Sequence, residues 1–137
     1  MVILDTDIIS AVMRRERAII TWLDRQPELS IWTTAITFFE IRYGLAVMPL
    51  GRRRAGDEAT FNDILRAELA DRILPFDTDA ADQAALLMAR RRRKGRIGEA
   101  RDTMIAGIAV AQNATLATRN VKHFDDLRVP VVNPWQT

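Results

Sequence analysis

The opening run Val2-Ile3-Leu4 stops at the carboxylate of Asp5 and passes straight into Thr6-Asp7. Three apolar residues closed by an acid are the pattern of a buried strand that delivers a side chain to its own C-terminal edge. In open sheets of parallel strands, ligand sites lie just beyond those edges. Thr6 or Asp7 is also suited to begin a helix, because a short polar side chain there satisfies free backbone N–H groups. A chain that starts this way is committed to a strand followed at once by a helix.

The remaining sequence repeats that alternation. Ile8, Ile9, Val12 and Met13 recur at helical spacing, and Ile19, Ile20, Trp22 and Leu23 resume it after the charged break Arg14 to Arg17. Pro27 ends this section, and Leu29 to Thr33 holds a short β-prone run. Thr34 then has the character of an N-cap, with Ile36, Phe39, Tyr43 and Val47 forming an apolar stripe behind it. Pro49, Gly51 and Arg52-Arg53-Arg54 mark a loop. A helical section from Asp57 to about Arg72 is carried by Phe61, Ile64, Leu65 and Leu69. Ile73 to Phe76 reads as a short strand, the alanine-rich segment 79–89 as a helix running into basic residues before Gly95, and Gly98 as a further break. Glu99 to Gln112 is helical, Thr115 to Thr118 is a strand, and Val131-Val132 is the last one.

Strand and helix in strict turn, with few hairpin signals, predict an α/β fold with a parallel sheet between helical layers. Neither an internal repeat nor a linker divides it, so residues 1–137 are expected to form one domain. A chain of this length buries roughly two-thirds of its unfolded surface. Its apolar fraction of 48% and charged fraction of 28% are those of a soluble globular protein. Cysteine is absent, which excludes disulfides, thiolate nucleophiles and zinc–thiolate sites. No apolar run reaches the roughly 18 residues of a membrane span, and no secretory leader pattern precedes Asp5, so the cytoplasm is the expected location.

The net charge is only +2, yet nine of the twenty basic residues fall in Arg52-Arg53-Arg54 and in Arg90-Arg91-Arg92-Arg93-Lys94 with Arg96. Clustering of that kind points to an anionic partner. Its ordinary alternative for residues 90–96 is a solvated helix C-terminus, where positive charge is favourable in any case.

Three acids stand out, each with an ordinary use beside the functional one. Asp5 closes a buried strand, or caps the helix after it. Glu40 lies in the second turn of its helix between Phe38, Phe39 and Ile41, where a carboxylate is seldom placed unless paired or metal-bound. Its plain alternative is a salt bridge to Arg42 or another arginine. Asp102 shares a face with Ile105, Ala106 and Ala109, which should carry it into a crevice; an acid near a helix N-terminus is also favourable by itself. Three carboxylates at one sheet edge would repel unless a cation joined them. Mg²⁺ or Mn²⁺, which prefer oxygen ligands, would remove the conflict.

Taken in order, Val2-Ile-Leu-Asp-Thr-Asp7, Ala35-Ile-Thr-Phe-Phe-Glu-Ile-Arg-Tyr-Gly44, Ile73-Leu-Pro-Phe-Asp77, Asp102-Thr-Met-Ile-Ala106, Leu116-Ala-Thr-Arg-Asn120 and Val132-Asn-Pro-Trp135 form an ordered set. The chain resembles the PIN-domain ribonucleases, and within them the VapC-type toxins of bacterial toxin–antitoxin pairs, on the FitB-like branch. The resemblance implies a three-layer sandwich around a parallel sheet of about five strands. It implies Mg²⁺- or Mn²⁺-dependent cleavage of RNA by metal-activated water, with Asp5, Glu40 and Asp102 as the acids of the site. The family's fourth acidic position falls on Asn120, whose amide can ligate or hold a water but brings no charge. Asp125 and Asp126 lie past the motif.

In this reading Asp5 and Asp102 ligate the metal directly and Glu40 directly or through water. Thr6 and Thr118 position a phosphate oxygen or a water, unless they serve only as capping and strand-end hydrogen-bond groups. Arg90, Arg91, Arg92, Arg93, Lys94 and Arg96 hold RNA or an acidic stretch of antitoxin. The expected partners are a VapB-like antitoxin, RNA, DNA reached indirectly through the antitoxin, and a second copy of the chain in a homodimer. His123 is the single histidine, and no serine has a base and an orienting acid beside it, so a hydrolase triad is not expected. His123 is read as a plain surface residue and Trp22, Trp32 and Trp135 as packing residues. Two rival functions stay open: a catalytically weak subunit that completes a DNA-bound repressor complex, and a phosphatase or DNA-directed nuclease using the same acids.

Overall fold

The computed structural model describes residues 1–136. Five strands, β1 (Val2–Leu4), β2 (Ile31–Thr34), β3 (Ile73–Leu74), β4 (Thr115–Ala117) and β5 (Val131–Val132), form one sheet in the order β3-β2-β1-β4-β5. Every pairing is parallel, with Val2 opposite both Ile31 and Thr115. β1 is the central strand, and the chain's path reverses direction there: β2 and β3 extend the sheet to one side, β4 and β5 to the other. Such a reversal leaves a crevice at the strands' C-terminal ends, between Leu4 and Ala117.

Six helices cover the sheet: α1 (Thr6–Met13), α2 (Arg17–Asp24), α3 (Ala35–Ala46), α4 (Arg52–Asp63), α5 (Thr78–Arg93) and α6 (Ala100–Ala111). Neighbouring residues of β1 feed opposite faces, as the two-residue period of a strand requires. Leu4 packs with Ile8, Ile9, Trp22, Ile41 and Phe61, whereas Ile3 packs with Leu87, Ile105, Ile108 and Leu116. Both faces are therefore buried, and the expected α/β three-layer sandwich with a five-stranded parallel sheet is the observed fold.

Four local expectations need correction. The arginines 52–54 are not a loop but the first turn of α4, capped by Gly51 at φ 152° without a side-chain hydrogen bond. Basic residues oppose the helix dipole there, so the usual start signal is missing. The 57–72 section does not stay α-helical, because α4 widens into a π-helical turn at Ile64–Glu68. On α3 the buried residues are Thr37, Ile41 and Leu45, while the expected stripe residues Phe39, Tyr43 and Val47 are exposed. That helix is apolar on nearly every side, so periodicity had no contrast from which to select its inner face. The expected strand 73–76 is real but contracts to two residues.

The tightest helix contact is α5 on α6. A methyl group on Gly107 would sit 2.5 Å from the Ala80 carbonyl oxygen and 2.8 Å from Ala84 Cβ. Small residues at this crossing bring α6 down onto the sheet, with Ile105, Ala106 and Ala109 fully buried. Asp102, one turn earlier on the same face, is thereby set at the sheet's C-terminal edge.

Candidate active site

The crevice between β1 and β4 is built by residues one step past each strand. Asp5 is only 5% exposed. It caps α1 by accepting the Thr6 N–H at 2.8 Å on Oδ1, so the plain and the functional uses of this acid coexist. Its Oδ2 accepts the Thr118 hydroxyl at 2.7 Å from the end of β4. Burial, then the charge of Asp7, and to a smaller degree that of Asp102, push the Asp5 carboxyl up to about 7; the bonds from Thr118 and Thr6 act against the rise. Asp5 thus feels Asp102 across the crevice.

Glu40 reaches the same edge from α3, which begins at the Thr34 cap as expected: the Thr34 hydroxyl accepts the Thr37 N–H at 3.1 Å. One Glu40 oxygen accepts the Thr6 hydroxyl at 2.8 Å, and the other lies 3.6 Å from Arg101. An arginine partner was the ordinary expectation for Glu40, and it is Arg101; Arg42 instead bonds Asn62 and stacks on Phe38 and Phe61. Asp102 Oδ2 lies 3.0 Å from His123 Nδ1, so the ring N–H donates to the carboxylate. His123, expected as a plain surface residue, is therefore in direct contact with one of the three acids.

Asp5, Glu40 and Asp102 are brought to one sheet edge but do not close into a cage. Among the described residues no three acidic or histidine side chains are gathered tightly enough to hold an ion. Glu40 borders a groove of about 400 Å³ with Arg101, and Asp102 one of about 240 Å³ with His123. Like charges in a buried setting are disfavoured, and each acid leans on its own partner.

An oxygen-rich crevice with an excess of negative charge nevertheless suits a hard divalent ion. The sign of this is Asp7, which sequence reasoning passed over as a helix-start residue. Its Oδ2 accepts the Arg119 N–H at 2.9 Å, whereas its Oδ1 is buried without a hydrogen-bond partner among the described residues. Burial raises the Asp7 pKa as well. The signal available in the sequence was the Asp5-x-Asp7 spacing, which sends two carboxylates to one strand end.

The other predicted site residues divide. Thr118 is fully buried, bonds Asp5, and accepts the Asn120 N–H at 3.1 Å. Thr6 is engaged by Glu40 and lies 3.0 Å from the Thr37 hydroxyl. Asn120 is exposed and its side chain does not cap the short helical turn after it. Arg91 must be withdrawn from the phosphate-binding group: it is 4% exposed and makes a two-pronged pair with Asp126 at 2.7 and 2.8 Å. Its remaining bonds reach the His123 carbonyl and the Thr103 hydroxyl. Arg96 is likewise tied to Asp125 and the Lys122 carbonyl. Arg90, Arg92, Arg93 and Lys94 are exposed. No described helix is long and apolar enough to cross a membrane.

Known proteins bear on this arrangement. The PIN domain family model matches residues 2–129. A protein named VapC ribonuclease Y4jK, from Sinorhizobium fredii, is 38% identical over 138 residues, covering 99% of both chains. Toxin FitB of Neisseria gonorrhoeae is 31% identical over 98% of this chain and 99% of its own. The structure of FitAB bound to an IR36 DNA fragment superposes with a TM-score of 0.88 at 31% identity, over 98% of this chain and 96% of that one. With the family model matching residues 2–129 and relatives more than 30% identical over nearly the whole chain, the chain belongs to the PIN-domain family.

Proposed function

We propose that this chain is the toxin of a toxin–antitoxin pair, an endoribonuclease that uses Mg²⁺ or Mn²⁺ held by Asp5, Asp102 and Glu40. The observation that carries the reading is Asp5, a buried acid at the β1–β4 crevice whose carboxyl feels both Asp7 and Asp102. The names VapC ribonuclease and toxin FitB on relatives spanning the whole chain support it.

When bound, the ion supplies an activated water and offsets charge on the phosphodiester oxygens. The chain's own residues orient the rest. Thr118 and the Thr6 N–H fix both oxygens of Asp5, and the Thr6 hydroxyl and Arg101 orient Glu40. The His123 ring N–H holds Asp102. Exposed Arg101, beside Glu40, and exposed Arg119, whose N–H bonds Asp7, bring positive charge near the acids, which favours the RNA backbone. Arg119 is preset by stacking 4.4 Å over Trp135. Arg90, Arg92, Arg93 and Lys94 offer a second basic patch to the same polyanion.

A VapB-like antitoxin that covers the crevice and carries the complex to DNA is the proposed partner, by similarity to FitAB on its DNA fragment. Such a pair acts in the cytoplasm, where RNA is the available target. The exposed, uncharged Asn120 favours one second reading, a catalytically weak subunit whose main task is to bind the antitoxin. Incubating the purified chain with RNA, DNA and a small phosphate ester separates these functions. Cleavage confined to RNA, dependent on Mg²⁺ or Mn²⁺ and abolished by Asp102→Asn, is expected. RNA binding without turnover under any divalent ion supports the second reading, and turnover by Asp102→Asn at the parent rate overturns the first.

A further inference from the structure

The site lacks a carboxylate at Asn120, yet a different one stands against the same turn. Asp7 belongs to the first turn of α1, two residues beyond Asp5. An acid there has an ordinary use, since the helix dipole favours negative charge at that end. Its side chain does more than that. Asp7 Oδ2 accepts the N–H of Arg119 at 2.9 Å and lies 3.4 Å from the Thr118 hydroxyl. That hydroxyl is the one bonded to Asp5, and it also accepts the Asn120 N–H. Asp5, Thr118 and Asp7 are thus a connected unit, and the turn that brings Asn120 to the crevice rests on the Asp7 carboxylate.

The second oxygen, Oδ1, is buried and has no hydrogen-bond partner among the described residues. The neighbouring Ile8 N–H donates to the Asp5 carbonyl at 3.0 Å and gives the Asp7 carboxylate only partial relief, since burial still raises its pKa. A buried carboxylate oxygen with an open lone pair is expensive to keep unless something positive meets it. Among the described residues no arginine or lysine side chain pairs with Asp7, although Arg119 contributes a favourable field. If Asp7 served only to anchor the 119–120 turn, an asparagine would accept the same N–H bond without the charge.

We propose that Asp7 supplies the fourth carboxylate of the metal-binding cluster, taking over on α1 the charge that is absent at Asn120. This rests on the divalent-ion reading of the site given above. It moves the fourth charge from the β4 turn to the start of α1, beside the most deeply buried acid.

Mn²⁺ titration of the full-length chain, followed by the loss of the free-ion electron paramagnetic resonance signal, tests both layers. Asp7→Asn keeps the acceptor for Arg119 and removes only the charge. It is expected to weaken Mn²⁺ binding at least tenfold, to shrink the rise in melting temperature that Mn²⁺ produces, and to leave the metal-free melting temperature equal or higher. Asp7→Ser, small and polar, is the second variant and should weaken binding to the same extent. A parent chain that takes up no Mn²⁺ at millimolar concentration overturns the divalent-ion reading and this proposal with it. A parent that binds while both variants bind within twofold of it overturns the proposal alone. A fall in metal-free melting temperature with unchanged Mn²⁺ affinity does the same, by showing Asp7 to be a structural anchor.

Discussion

At the residue scale the site turns on Thr118. Its hydroxyl donates to Asp5 and accepts from Asn120, while its methyl group lies in the packed strand end. Thr118→Val keeps the shape, strands the Asn120 N–H and removes the donor that holds Asp5. RNA cleavage is expected to fall by roughly 10- to 100-fold, the range for partners that orient metal ligands, with the far-ultraviolet circular dichroism unchanged. A variant as active as the parent would show that Asp5 needs no such support. Asp5 was legible because an acid closing a three-residue apolar run lies at the strand's C-terminal edge whether or not it also caps the next helix. Asp7 was not, since the helix-start rule accounts for an acid there without residue. His123 could not be placed beside Asp102, because contact across 21 residues is set by how the 119–124 turn folds back on α6.

At the element scale two contacts hold that turn and α6 in place. Gly107→Ala would drive a methyl group against the Ala80 carbonyl oxygen, backbone that has no room to give. A loss of about 1–3 kcal/mol is expected, the usual cost of overpacking, measured as a lower midpoint in urea. Arg91 joins the end of α5 to Asp126 and to the His123 carbonyl. Arg91→Ala removes the two-pronged partner of Asp126 and leaves it with Arg96 at 3.5 Å; because Asp126 is partly exposed, a loss of about 1–3 kcal/mol is expected, below the scale for a fully buried pair. RNA affinity measured on the folded fraction should not change, because Arg91 faces inward. In the sequence Arg91 could not be told from Arg90 or Arg92; helical spacing alone turns one of three adjacent arginines into the core. The inner face of α3 was hidden for the opposite reason, an excess of apolar choices.

For the whole molecule, buried Asp5 and arginine-paired Asp126 shape how stability follows pH. Asp5 rises from an ordinary 3.8 to about 7 in the fold, so the folded state holds that proton more tightly than the unfolded chain. Its contribution is complete below pH 3.8 and is lost as pH climbs through about 7. The scale of this loss is about 4 kcal/mol. Asp126 acts in the other sense: Arg91 holds it down to about 2, so its contribution is present above the ordinary carboxylate range and is lost as pH falls toward that value. Metal-free protein is therefore expected to weaken as pH rises from about 4 to about 7, the span between the two Asp5 values, in urea melts with a chelator present. Mg²⁺ should flatten the decline, because an ion favours the ionised form. A chelated protein equally stable across that range would refute the raised pKa of Asp5.

The amino-acid order by itself determined the alternation of strand and helix, the parallel sheet and the placement of Asp5 at a strand end. Those features depend on local periodicity and on which residues start or stop an element, and both are written in neighbouring positions. It also carried the family, through short motifs kept in order from one end to the other. Only the tertiary structure decided which arginine is buried, which side of α3 faces inward, and which carboxylates meet. These outcomes depend on distances between elements far apart in the chain, which packing and charge repulsion set together. The acid with an unpaired oxygen, Asp7, became visible only when β4 closed over it.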